Sequence, residues 1–173
     1  EVTEAIRNRK SARAFLDKAV PDEIVTEILE CARWAPSGAN TQPWHVSVLT
    51  GETKRKLGDA MAKRRISGEK TRPDYNYYPT KSEEPYISRK YACADALYSA
   101  LCIERKDIER RKMQWIKNYH HFGAPVALLF FIDAILEKGS WLDSGMFIQN
   151  VMLAARSHGL ETCPQAARAE HSD

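Results

Sequence analysis

The chain has 173 residues, 43% of them hydrophobic and 28% charged, with 26 Lys and Arg against 23 Asp and Glu for a net charge of +3. That apolar share is enough for one packed domain and excludes wholesale disorder, and scattered Gly and Pro (8 each) exclude collagen-like or low-complexity chains. The charge is too small to demand a nucleic-acid partner, and the longest apolar run, Ala124 to Ile132, is too short to cross a bilayer and is closed by Asp133.

Residues 2–8 can form a short helix with Val2, Ala5 and Ile6 on one side. Pro21 stands where helices begin, Asp22 and Glu23 suit the positive end of the dipole, and Ile24, Val25, Ile28, Leu29 and Ala32 recur at helical spacing. A helix is therefore expected over 21–34. Pro36 forbids its continuation, and Gly38 offers unusual dihedrals. HVSVL at 45–49 alternates as a strand, and a polar helix follows to about Arg65.

The stretch 66–90 is rich in Pro, Tyr and charge. It is too long for a simple connection and reads as a lid-like excursion carrying Tyr75, Tyr77, Tyr78 and Tyr86. A helix near 89–104 places Ala94, Leu97, Tyr98 and Leu101 on one face, and 104–117 reads as a second basic helix beside that at 53–65. Both basic segments read first as solvated helix faces, since neither carries a nucleic-acid recognition motif. PVALLFFID predicts a central strand. A helix is expected from Asp143 to His158 with Phe147, Val151 and Ala154 on one face, stopped by Gly159. LETCPQ is a short third strand or an extended turn.

Helices outnumber strands without regular alternation, which favours an α+β fold, a small mixed or antiparallel sheet covered by helices, in one domain over 1–173. No GxGxxG or GxxxxGK[ST] phosphate loop occurs. Cys31, Cys93, Cys102 and Cys163 form no CxxC pair and have no His at zinc-ligand spacing, so no metal site is expected. Reduced, mostly buried thiols fit a reducing compartment. With no apolar export signal at the first residues, the expected address is cytoplasmic.

Four segments carry chemistry. Arg9, Lys10, Ser11 and Arg13 put three cations and a hydroxyl within five residues, a composition suited to a phosphate and equally to a basic surface turn. In ARWAPSGANTQPWH, small residues admit a flat ligand while Asn40 and Gln42 offer donors and acceptors, as any polar loop would; Trp44 reads as core. Asp143 reads as a helix N-cap. In ETCPQAA, a Cys-Pro turn with two alanines can aim backbone amides at a ligand. Cys163 tempts as a nucleophile, but nothing nearby is expected to lower its pKa.

The ordered series NRKSARAF, WAPSGANTQPWH, EEPYISRK, FGAPVALLFFID, SWLDSGMFIQNVMLAA and GLETCPQAA resembles the FMN-dependent nitroreductase family over nearly the whole chain. The resemblance implies an α+β homodimer with FMN at the subunit interface. Arg9, Lys10 and Ser11 match the segment that holds the phosphate and ribityl chain, and Arg13 lies near the polar edge of the flavin. Pro36, Ser37, Gly38 and Asn40 match the loop that reaches the flavin from the other subunit. Asp143 matches a position near the flavin, and Pro164, Gln165 and Ala166 match the turn along the ring, with the Ala166 amide toward N5.

The implied reaction is ping-pong hydride transfer from NADH or NADPH through flavin N5 to a nitroaromatic or quinone, with no side chain as general acid or base. Neither a nucleic acid nor a membrane is implied as partner. Family members continue past GLETCPQAA, so a C-terminal family segment is expected to be absent here. The alternatives are a weak or inactive flavin-binding fragment, or a flavin reductase or dehalogenase on the same scaffold.

Overall fold

In the computed structural model, residues 1–69 and 72–170 are described. They form two compact units, one from residues 1–55 with 123–164, the other from 56–122 with the residues from 165 on.

The first unit holds α1 (Val2–Asn8), α2 (Asp22–Ala32), β1 (His45–Leu49), β2 (Ala127–Phe131) and α6 (Lys138–Ser157). β1 and β2 pair antiparallel, with His45 opposite Phe131 and Leu49 opposite Ala127. The expectation of a central strand is corrected: among the described residues β2 has β1 as its one strand neighbour. Its apolar run reflects half-burial along Ala127–Phe130, not enclosure between strands. LETCPQ is an extended turn, joined to the N-terminal segment by one parallel bridge between Thr162 and Ser11.

The helical spacing of α2 serves its contact with α6. Ile28 and Ala32 meet Phe147, Val151 and Ala155 in one buried cluster, with Ala35 beside them. Burying each large apolar side chain contributes about 1.5–3 kcal/mol. Trp44 lies flat on Phe147, centroids 4.7 Å apart and planes 6° from parallel, and Phe130 meets the same ring edge-on at 6.1 Å. Trp44 is thus part of the core, as its type suggests.

The start of α6 differs from expectation. The helix opens at Lys138, five residues before Asp143, so Asp143 stands inside the second turn and caps nothing. KGSW carries no apolar spacing, so the added turn is silent in the sequence. The helix stops as expected. Gly159 has φ +69°, its N–H donates to the Arg156 carbonyl, and the Leu160 N–H donates to the Ala155 carbonyl, the paired bonds of a left-handed helix end.

The second unit holds most of α3 (Gly51–Ser67), then α4 (Tyr86–Ala100) and α5 (Ile108–Ile116). Its buried cluster is smaller: Met61, Ala62 and the fully enclosed Tyr119, flanked by Leu57, Trp115, Ile116 and Ala167. α4 buries no residue. The expected excursion is shorter at both ends, because α3 runs on to Ser67 and α4 begins at Tyr86; residues 72–85 between them hold no helix or strand, and residues 70 and 71 lie outside the described residues. α5 opens at Asp107, whose carboxylate accepts the Arg110 N–H at 3.1 Å, so the basic helix is shorter than the 104–117 expected. The basic faces are partly committed within the unit: Arg65 covers the Trp115 ring at 4.2 Å, Arg111 covers Tyr98 at 4.1 Å, and Arg110 donates to the Cys102 carbonyl at 3.0 Å.

The expectation of mostly buried thiols is corrected. Cys31, Cys93 and Cys102 are exposed, and Cys163 is half-buried. Each exposed thiol falls on the outer side of its helix or turn, a phase that residue type does not reveal. Among the described residues, no helix is long and apolar enough to cross a membrane and no group of His, Cys, Asp or Glu could hold a metal ion.

Candidate flavin site

The site residues of the first unit fall into two sets. The first is built where α1 ends. Arg9 leaves the helix in extended conformation (φ −61°, ψ 127°), which carries the chain along the 161–164 turn. Ser11 bridges Thr162, and the Ala12 N–H donates to the Thr162 carbonyl at 3.0 Å. Arg13 is exposed and donates to the Ser11 carbonyl at 3.3 Å, while Lys10 is exposed.

Arg9 is half-buried, and its Nη1 is sealed from solvent without a hydrogen-bond partner; Thr162 Oγ1 and Glu161 Oε2 are likewise buried and unpaired, although the other Glu161 oxygen pairs with Arg156. An unmatched buried guanidinium nitrogen is costly unless an acceptor meets it. A phosphate supplies that acceptor, and the fork of Arg9 with the hydroxyl of Ser11 fits one.

Cys163 lies in the same turn. Burial pushes its thiol up from the usual range, opposed by the charges of Arg13 and Arg9. The expectation that nothing nearby lowers its pKa is corrected, since Arg13 and Arg9 do; burial outweighs them, and a thiol held protonated is a poor nucleophile. The signal that brings Thr162 into this set is backbone pairing, which its side-chain type does not announce.

The second set is the loop after α2. Pro36 is exposed, Ser37 is half-buried, and Gly38 and Asn40 are exposed. The Gly38 N–H donates to Asp143 Oδ2 at 3.1 Å, and the Gln42 N–H donates to Ser37 Oγ at 3.0 Å. The unusual dihedrals expected at Gly38 fall instead on its neighbours: Ala39 (φ 49°), Asn40 (φ 56°) and Gln42 (φ 48°) are left-handed. Asn tolerates that region; Ala and Gln occupy it only when the surroundings require it. Asp143, expected as a cap, is therefore a loop contact.

The turn residues divide. Pro164 is exposed in the first unit. Gln165 and Ala166 pack in the second, where Gln165 Nε2 donates to the Asn118 carbonyl at 2.8 Å and the Ala166 carbonyl accepts the Ala169 N–H at 3.0 Å. The Gln165 side chain is thus committed to Asn118, and any role toward a ring falls to the backbone.

The two sets, a run of basic side chains and a polar loop shaped by its backbone, sit on an α+β scaffold of helices around a two-stranded antiparallel sheet. The chain belongs to the nitroreductase family, whose family model matches residues 6–172. It is 41% identical over 165 residues to the chloronitrobenzene nitroreductase of Comamonas testosteroni, covering 95% of this chain and 73% of that one. It is 40% identical to the nitrobenzene nitroreductase of Ectopseudomonas oleovorans with the same coverage. Among solved structures, the FMN- and NADPH-dependent nitroreductase NfnB from Sphigopyxis sp. strain HMH superposes with a TM-score of 0.96 at 40% identity, covering 99% of this chain and 77% of that one.

Proposed function

We propose that this chain is an FMN-dependent oxidoreductase that uses NADPH or NADH to reduce nitroaromatic compounds. The observation that carries the reading is the buried, unpartnered Arg9 Nη1 in a segment that also presents Ser11 and Arg13. That set would hold the FMN phosphate and ribityl chain, with Pro36, Ser37, Gly38 and Asn40 serving the flavin from the loop. FMN when bound supplies the two-electron chemistry.

The protein's own part is positioning and charge. Arg9 and Ser11 fix the phosphate, and Arg13 adds positive charge to the site. Cys163, kept protonated, stays out of the reaction. The half-reactions take place at one site, so NAD(P)H leaves before the acceptor enters. The first two-electron step consumes one NAD(P)H and one proton and converts the nitro group to nitroso with loss of water. Quinones accept the same two electrons.

Assembly is part of the proposal. Trp34 is 87% exposed, Ile135 88% and Leu142 73%. Exposed apolar surface of this kind favours association, and a homodimer whose partner contributes the Pro36–Asn40 loop would cover part of it. Four free thiols suit the cytoplasm.

The test is steady-state turnover of nitrobenzene by the purified protein supplied with FMN. Parallel double-reciprocal lines against NADPH at several acceptor concentrations are expected. A protein that gains no flavin absorbance and oxidises no NADPH would sink the reading.

A further inference from the structure

The loop 37–42 holds three non-glycine residues in left-handed conformation within four positions, Ala39, Asn40 and Gln42. Such a run survives only if bonds around it over-determine its shape. Most of those bonds are local. The Asn40 N–H donates to the Ser37 carbonyl at 3.0 Å, the Thr41 N–H to the Gly38 carbonyl at 3.1 Å and the Gln42 N–H to Ser37 Oγ at 3.0 Å. These shape the loop but do not tie it to the rest of the fold.

One bond comes from 105 residues away, the Gly38 N–H to Asp143 Oδ2 at 3.1 Å. Asp143 projects from α6 one turn before Phe147, the buried ring on which Trp44 stacks. The loop is therefore held at both ends by the same stretch of α6. Trp44 anchors its exit by packing, and Asp143 anchors its entry through a charge-assisted bond. A side chain at position 38 would meet Asp143 Oδ2 at only 3.8 Å, so the approach is close but unstrained.

We propose that Asp143 is a positioning residue: by accepting the Gly38 N–H it holds the left-handed run in the shape that receives the flavin. The proposal rests on the flavin reading above for the identity of the ligand; the clamp itself is a property of the chain.

The test compares Asp143→Ala and Asp143→Asn with the parent, all as full chains. Three quantities are read: exchange of the Gly38 amide by NMR, FMN affinity by fluorescence quenching, and the thermal midpoint. Asp143→Ala should speed Gly38 exchange roughly tenfold or more and weaken FMN by about tenfold, the scale of one net hydrogen bond, with little change in midpoint. Asp143→Asn keeps an acceptor oxygen at the same reach and should return both readouts to within about threefold of the parent.

Unchanged Gly38 exchange in Asp143→Ala would overturn the clamp. So would an Asn variant indistinguishable from the Ala variant. Faster exchange with unaltered FMN affinity would overturn the positioning role. A parent that binds no FMN would instead refute the flavin reading, and the exchange comparison would then decide the clamp alone.

Discussion

The segment Arg9–Arg13 and the loop Pro36–Gln42 are the two halves of the candidate site, and they are made of different material. In the first, the side chains carry the chemistry, and their backbone is ordinary extended chain pinned by one bridge to Thr162. In the second, the backbone carries it: three left-handed residues and a Gly38 amide held by Asp143, with side chains mostly facing solvent. Charge seats tolerate a plain backbone because a guanidinium reaches its target on a long stem. Backbone donors must be placed by the fold itself, so the second half needs a rigid base in a way the first does not.

The sharpest way to break that contrast is to remove the base. Phe147→Ala deletes the ring beneath Trp44 and should cost about 3–5 kcal/mol of stability, read by urea denaturation. The loop should lose order before the Arg9 segment does. A loss below about 1 kcal/mol would mean that the stack does not support the loop.

A smaller effect tests the backbone directly. Ala39 sits at φ 49°, ψ 23°, where glycine has no steric cost. Ala39→Gly should leave stability unchanged or raise it by up to about 1 kcal/mol, because relief of the left-handed strain offsets the greater entropy of the unfolded chain. Destabilisation beyond about 1 kcal/mol would show that Ala39 is not strained.

The smallest effect lies in the charged half. Burial raises the Cys163 pKa, and the charges of Arg13 and Arg9 oppose it. The Cys163 thiolate therefore forms at higher pH than that of a free thiol, and the group is half-buried where Cys31, Cys93 and Cys102 are exposed. Iodoacetamide should label Cys163 last, and Arg9→Ala should slow it further by removing one opposing charge. Equal labelling of all four cysteines, followed by mass spectrometry, would contradict that environment.

Legibility in the sequence follows the same division. α2, β1 and the stop at Gly159 were readable because spacing, alternation and a helix-ending glycine are properties of residue type. The cationic run from Arg9 to Arg13 stands out because charge is a property of residue type, whereas the half-burial of Arg9 is not. The start of α6 was not, since Gly139 and Ser140 argue against the turn they occupy, and an aspartate inside a helix looks like one that caps it. The left-handed run was not, because the glycine that could have signalled it is the neighbour that does not adopt it. The position of β2 in the sheet is not legible either, because a uniformly apolar strand looks the same with one neighbour as with two. Thr162 gave no side-chain signal, being recruited by pairing with Ser11.

Under the proposed function, Arg9 and its neighbours hold a flavin by its phosphate. This is tested most directly by titrating the protein with FMN and with riboflavin, which lacks the phosphate, and repeating both with Arg9→Ala. The parent is expected to bind FMN about 10- to 100-fold more tightly than riboflavin, the scale of a charge-assisted bond of roughly 1.5–3 kcal/mol, and the ratio to collapse toward one in Arg9→Ala while riboflavin affinity holds. Equal affinities in the parent, or a ratio that survives the loss of Arg9, would contradict it.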